Sequence, residues 1–248
     1  MSKHLKRLNA PRTLNIHKKE KQWTIKPSPG PHPLKESIPL GIIVRDYLKL
    51  VNYLREAKRI ISNGEILVDG VKRKNYKFPC GLMDVISIPK LKKDYRILFD
   101  KSGKLTLVSI NSKDASWKLC RIENKTILKD KKIQLNFHDG RNQIIPKDEY
   151  KTGDVLKISF KDNKISDNYK FEKGTVSIII GGSHIGEVAN IEDIEIIPSS
   201  KPNLAKMKGK KDFSTIHYYV FPIGKDKPVV EIPEVKIQWA LKKQEIKK

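Results

Sequence analysis

The sequence is short of several things, and each shortage closes a class of function. It has two cysteines, Cys80 and Cys120, in 248 residues. They lie far apart and neither has a C-x-x-C partner, which argues against zinc and against a disulfide framework. Both are expected as buried, reduced packing residues. No run of about 18 apolar residues occurs, the length that a membrane-spanning helix needs. The N-terminus is basic but lacks an apolar stretch, so no signal peptide is expected. Acidic residues are scarce too: 28 Asp and Glu stand against 51 Lys and Arg, a formal net charge of +23. Such an excess repels itself in a compact chain, and a polyanion relieves it. Nucleic acid and an anionic membrane surface both qualify. A soluble cytoplasmic protein bound to nucleic acid is the more economical reading.

Catalytic signatures are missing as well. No Ser/His/Asp, Cys/His or paired-carboxylate set has a recognisable motif context. The glycines at Gly181-Gly182 are not followed by Gly-Lys-Ser/Thr, so they make no Walker loop. No helical pattern follows them, so they make no dinucleotide fingerprint. The six histidines are scattered between arms and loops and offer no metal-ligand spacing. The chain is therefore expected to be no enzyme, with no cofactor, no metal and no small-molecule substrate.

What is present centres on Pro39 to Ile88. At about 100° per residue, Ile43, Val44, Tyr47, Leu48 and Val51 share one helical face, and Arg45, Asp46 and Lys49 lie opposite. Pro39 suits the first turn of that helix. A second helix is expected from about Tyr53 to Ser62, with Leu54, Ala57 and Ile61 inward and Arg55, Lys58 and Arg59 outward. Asn63-Gly64 stops it. Glu65 to Val68, an Asp69-Gly70 turn and Val71 to Lys74 read as a hairpin, and Asp84 to Ile88 as a further strand. A helical pair on a hairpin, with cations on the exposed helix, suits a phosphate backbone; a solvated charged face is the plain alternative. The stretch resembles the αL RNA-binding motif of bacterial ribosomal protein four and several RNA-modifying enzymes. The matching residues are Arg55-x-x-Lys58-Arg59, Asn63-Gly64, Val68-Asp69-Gly70 and Gly81-x-x-Asp84-x-Ile86.

Before it lies a segment with few apolar residues. Over residues 1–26, Lys3, Lys6, Arg7, Arg12, Lys18, Lys19, Lys21 and Lys26 face one acid, Glu20, and Pro27-Ser28-Pro29-Gly30-Pro31-His32-Pro33 is stiff and non-helical. An arm of about 35 residues reaches on the order of 100 Å when extended. It is expected to be disordered in water and ordered on RNA. His4-Leu5-Lys6-Arg7-Leu8-Asn9-Ala10-Pro11 and Pro29 to Pro33 resemble the opening of the e-type (archaeal and eukaryotic) family of small-subunit ribosomal protein four, whose N-terminal segment is embedded in rRNA. Leu14 stands where that family usually has an aromatic residue.

Beyond the motif, partly alternating segments at Tyr95–Phe99, Lys118–Ile122, Ile133–Phe137 and Val155–Phe160 predict a small β-rich domain. Asp139-Gly140-Arg141-Asn142 is either a phosphate-contacting loop or a plain hairpin turn. Strand, glycine loop and strand at Val176 to Ile191 suggest backbone that approaches something closely or needs φ > 0. This segment resembles a KOW module, with Ala189 in place of a usual glycine. Lys201 to Lys211 reads as a basic connector, Tyr218–Gly224 with Val229–Ile232 as a strand pair, and Val235 to Lys248 as a short basic helix.

The organisation expected is multi-domain α+β. It comprises a basic arm over 1–38, an αL-motif domain over 39–94, a central β-rich domain over 95–170, a KOW/SH3-like small β-barrel with its connector over 171–211, and a C-terminal extension over 212–248. The resemblance implies a structural constituent of the small ribosomal subunit, cytoplasmic and ribosome-bound, with small-subunit rRNA and neighbouring ribosomal proteins as partners and no membrane. RNA contact is expected in the arm from His4, Lys6, Arg7, Arg12, Lys18, Lys19, Lys21, Lys26 and His32. It is expected in the αL motif from Arg45, Arg55, Lys58, Arg59, Lys72, Arg73 and Lys74. Further along it is expected from Arg141, from Gly182, Ser183 and His184, and from Lys206, Lys208, Lys210 and Lys211. The alternative is an accessory of an RNA-modifying enzyme, or a KOW-type factor off the ribosome. No Arg-Leu-Asp, the motif of αL pseudouridine synthases, occurs in the chain.

Overall fold

The structure is a computed structural model and describes residues 4–129, 132–209 and 211–232. Lys210 and the helix expected from Val235 onward lie outside the described residues. The fold is mostly β, with few helices. No helix among the described residues is long and apolar enough to cross a membrane.

Strands β1 (Leu5–Lys6) and β2 (Trp23–Thr24) pair as a small antiparallel ribbon. After β3 (Ile38–Pro39) the chain enters α1 (Leu40–Ile42), which widens into a π-helical turn over Ile43–Tyr47. Helix α2 covers Leu54–Ser62. Strands β4 (Leu67–Val68), β5 (Val71–Lys72), β6 (Pro79–Cys80), β7 (Val85–Ile88), β8 (Lys93–Phe99) and β9 (Leu105–Ile110) follow. All but β6 form one antiparallel sheet in the order β5-β4-β7-β8-β9, while β6 pairs with β3.

Local chemistry explains most of this. Asp69 and Gly70 both have positive φ, 51° and 75°, the signature of a type I′ hairpin turn. Helix α2 starts where the Glu56 carboxylate accepts the backbone N–H of Tyr53, and Ala57 and Ile61 bury its inner stripe. Full burial of an isoleucine such as Ile61 is worth about 1.5–3 kcal/mol. The first helix departs from expectation. Its apolar face holds, with Ile43 and Val44 buried. However, the π-turn brings Arg45 and Asp46 together as a two-bond ion pair at 2.8 Å, so Arg45 is not a free outer cation. Pro39 sits in β3, ahead of the helix, because it pairs there with Pro79.

The second sheet, in the order β12-β11-β10-β13-β14, is built from β10 (Trp117–Ile127), β11 (Ile133–Phe137), β12 (Asn142–Ile145), β13 (Val155–Ser159) and β14 (Ile165–Tyr169). The third, in the order β18-β17-β16-β15-β19, uses β15 (Val176–Ile179), β16 (Val188–Glu195), β17 (Leu204–Lys208), β18 (Phe213–Ile216) and β19 (Val220–Gly224). Two boundaries shift as a result. Residues 95–110 belong to the first sheet, because β8 pairs with both β7 and β9. The C-terminal strand β19 pairs with β15 rather than with Val229–Ile232, which places it in the third sheet. The basic connector is itself a strand: Ala205 and Met207 point inward, and Lys206 and Lys208 alternate with them outward. Ala189 lies within β16, opposite Ser177, at no turn.

The arm is folded against the body. Ala10, Leu14 and Ile25 join a buried cluster that runs through the first sheet to Val176, Ile178 and Phe221 of the third. Three well-spaced apolar side chains are enough to dock a segment onto an existing core, though not to make one. The stiff tract Gly30 to Pro33 forms a strap. A Cβ on Gly81 would run into the His32 ring, and one on Gly140 would meet the Pro31 backbone at 3.7 Å.

Candidate nucleic-acid interface

Helix α2 presents Arg55, Lys58 and Arg59 to solvent, as the helical spacing predicts. Lys58 Nζ lies 4.5 Å from the centre of the Tyr76 ring, a cation–π contact that orients the side chain without neutralising it. Lys72 and Lys74 are exposed on the neighbouring hairpin, and the half-buried Arg73 guanidinium stacks 4.5 Å from Phe78. Tyr53, at the mouth of the helix, is exposed. These residues form one cationic face with aromatic rings set among the charges.

The arm residues divide. Lys6, Arg12, Lys19 and Lys21 are exposed, and His4 packs edgewise on Trp23. Lys18 reaches the Ala10 carbonyl at 3.2 Å, and Lys26 is half-buried. Arg7 is 2% exposed: its Nε donates to the His17 carbonyl at 2.5 Å and its Nη2 pairs with Glu20 at 3.2 Å. Expected as a phosphate ligand, Arg7 instead closes the arm on itself.

His32 is the entry to a second, buried set of charges. Its Nε2 lies 2.9 Å from Asp84 Oδ2. Lys118 of β10, 1% exposed, sits among three carboxylates: Asp69 at 2.6 Å, Asp84 at 3.0 Å and Asp139 at 2.6 Å. Arg141 reaches Asp69 at 2.8 Å and Asp139 at 3.3 Å. The backbone N–H of Gly81 donates to Asp84 at 2.9 Å, and that of Val85 to Asp69 at 3.0 Å. Three modules contribute: the strap gives His32, the first sheet Asp69 and Asp84, and the second sheet Lys118, Asp139 and Arg141. With His32 protonated the charges balance. Burial alone would strip the Lys118 proton, but the charges of Asp84 and Asp69 outweigh it and hold its pKa well above the usual lysine range. His32 behaves likewise: burial opposes its charge, Asp84 overrides it, and the pKa rises. Asp84 is held below the carboxylate norm by His32 and Lys118 against the cost of burial. Burial, with the charge of Asp84 beside it, raises Asp69. Next to the cluster, desolvation and the surrounding cations push His138 down to about 3. The neutral His138 ring accepts the Arg121 N–H at Nδ1 and approaches the Leu82 carbonyl through Nε2 at 3.3 Å, which fixes its tautomer.

Asp139 to Asn142 is thus a hairpin turn whose Arg141 is committed inward. The glycine loop is committed inward too. A Cβ on Gly186 would strike the Asp100 backbone, so the loop docks on the turn between β8 and β9. His184 stacks 4.0 Å over Phe213, and its Nδ1 lies 3.1 Å from Glu187. Gly182 and Ser183 remain exposed, as do Lys206, Lys208 and Lys211. Cys80 and Cys120 are buried and unpaired, with burial raising both thiols. Among the described residues no group of three or more His, Cys, Asp or Glu is placed to hold a metal. Sequence reasoning quoted Asp69, Asp84, Lys118 and Asp139 separately and did not see that they meet. The one local signal was a lysine inside an apolar strand, Trp117-Lys118-Leu119-Cys120.

Three family descriptions match the chain: ribosomal family S4e over residues 91–165, the RS4NT domain over 1–35 and the S4 domain over 47–86. The chain is 52% identical to the small ribosomal subunit protein eS4 of Methanosphaera stadtmanae, across 93% of this chain and 95% of that protein. It is 49% identical to the protein of the same name from Methanothermobacter thermautotrophicus, across 93% and 96%. The crystal structure of the 30S ribosomal protein S4e from Thermoplasma acidophilum superposes with a TM-score of 0.68 at 39% identity, covering 77% of this chain and 96% of that one.

Proposed function

The chain belongs to ribosomal family S4e, and from that premise we propose that it is a structural constituent of the small ribosomal subunit, binding rRNA and supporting translation. The observation that carries the binding mode is the face of α2. Arg55, Lys58 and Arg59 stand exposed on a helix within the segment that matches the S4 domain. Phosphate and sugar contacts from this face fix position, while RNA shape and the 2′-OH supply recognition. Lys72 and Lys74 extend the face, and Arg73 lies at its edge.

The exposed arm cations Lys6, Arg12, Lys19 and Lys21 add phosphate contacts, with Lys18, Lys26 and His4 beside them. Arg7, His32, Arg45, Arg141 and His184 serve the fold first, because each is already paired or stacked. The third sheet reads as a KOW-type SH3-like barrel. Gly182 and Ser183 at its loop, and Lys206, Lys208 and Lys211 on its basic side, make the far end of the RNA footprint. The protein is not an enzyme, needs no cofactor, and resides in the cytoplasm on the ribosome beside neighbouring small-subunit proteins.

Sedimentation of a native lysate through a sucrose gradient, followed by a salt wash, tests this. Co-migration with small subunits that survives moderate salt is expected. Protein found only at the top of the gradient would point to a free RNA binder of the modifying or transcription-associated kind.

A further inference from the structure

We propose that the outer face of the β1–β2 ribbon is a single-nucleotide RNA subsite, where Trp23 stacks one unpaired base and Lys6 and Lys21 hold the flanking phosphates. The proposal rests on the rRNA-binding reading and names what the arm recognises. Tryptophan is usually well covered in a folded chain, and Trp117 is. Trp23 is 44% exposed, on the second strand of the ribbon and ahead of the strap. Its strand partner in the register is Lys6, so the two side chains stand on one face of the ribbon. Lys21, two residues upstream, is exposed beside it. His4 meets the indole edge to face, at 84° with 4.8 Å between ring centres, a contact that engages at most one π-face of the ring.

A ring braced by His4 and flanked by cations matches an unpaired nucleotide, which offers a π-face and two phosphates at once. The cations exclude the plain apolar alternative: a protein partner that buried Trp23 would have to desolvate Lys6 as well. Leu14 of the same arm is buried in the core, whereas Trp23 stands exposed.

The test uses the full chain and two fluorescein-labelled probes of equal length and charge: single-stranded 12-mer oligoadenylate RNA, and its abasic ribose-phosphate counterpart. Trp23→Ala should weaken oligoadenylate binding about tenfold and leave abasic binding and the salt slope unchanged. Changing Lys6 and Lys21 together to Gln should weaken both probes and lower the salt slope by about 1.4. Oligoadenylate should quench wild-type tryptophan emission more than that of Trp23→Phe. That comparison still decides the matter if Ala loosens the ribbon. Equal oligoadenylate affinity of wild type and Trp23→Ala, or equal quenching of wild type and Trp23→Phe, overturns the subsite while leaving rRNA binding intact. If the wild-type chain binds neither probe while still sedimenting with small subunits, the subsite falls and the rRNA-binding reading stands; absence from small subunits as well would take both.

Discussion

Two sets of charged residues, one on α2 and one around Lys118, use the same chemistry to opposite ends. On α2, Arg55, Lys58 and Arg59 face water with no acidic partner among the described residues. Solvent screens them, they cost little to maintain, and they are free to meet phosphate. Around Lys118, three carboxylates and three basic groups meet between modules, all buried except the Arg141 side chain, which is 30% exposed. Each is paired with a group of opposite charge. A buried ion cluster adds little net stability over an apolar core, but losing one member leaves uncompensated charge in a low dielectric. The cationic surface is the proposed RNA-docking face, and the charged interior joins strap, first sheet and second sheet.

The sharpest way to break this contrast is Lys118→Met, which strands Asp69, Asp84 and Asp139 together. It should cost about 3–5 kcal/mol, read as a lowered urea midpoint; an unchanged midpoint would mean the cluster is not closed. Next comes His32→Ala, which removes the bond to ionised Asp84 and should cost about 1.5–3 kcal/mol. The same variant should release the strap, so limited proteolysis should cut within the first 35 residues of the variant and spare wild type. Equal protection of the two proteins would show that the strap is held elsewhere.

The pH dependence gives a finer test. The folded pKa of His32 is raised above its usual value of 6.5. Its contribution is therefore complete below about pH 6.5 and is lost as pH rises through the folded value. His138 is depressed to about 3, so its contribution is complete above about pH 6.5 and lost as pH falls toward 3. Unfolding midpoints measured from pH 5 to 9 should peak between these limbs. His32→Gln should flatten the alkaline limb only; flattening of the acid limb instead would reverse the assignment. The smallest effect on folding belongs to Arg55→Glu with Arg59→Glu. The unfolding midpoint should stay put while rRNA affinity and its salt slope fall. Wild-type affinity in that double variant would remove α2 as the docking face.

The exposed cationic face of α2 was legible because it depends on local spacing. Positions three and four apart put Arg55, Lys58 and Arg59 on one side of a helix, and Asp69-Gly70 demanded a turn with positive φ. The interior was not legible, because its contacts join residues far apart in sequence: Lys118 meets Asp69 across 49 residues and His32 meets Asp84 across 52. Periodicity carries no such information. The same gap explains the arm. Its composition reads as a disordered polycation, yet Leu14 and Ile25 find a core made by residues that come later. The pairing of Arg45 was hidden for a different reason: a regular wheel does not show the π-turn, in which Asp46, next in sequence, takes up the charge.

The strap also sets a clock for the newborn chain. His32 leaves the synthesising ribosome roughly 100 residues ahead of Asp139 and Arg141, an interval of about 5–20 s at ordinary elongation rates. During that time the arm has no cluster to close upon, and its lysines and arginines are an open polycation in a cell full of RNA. The first contacts it makes are then those it can make unfolded, and the lock snaps shut only once the second sheet is in place.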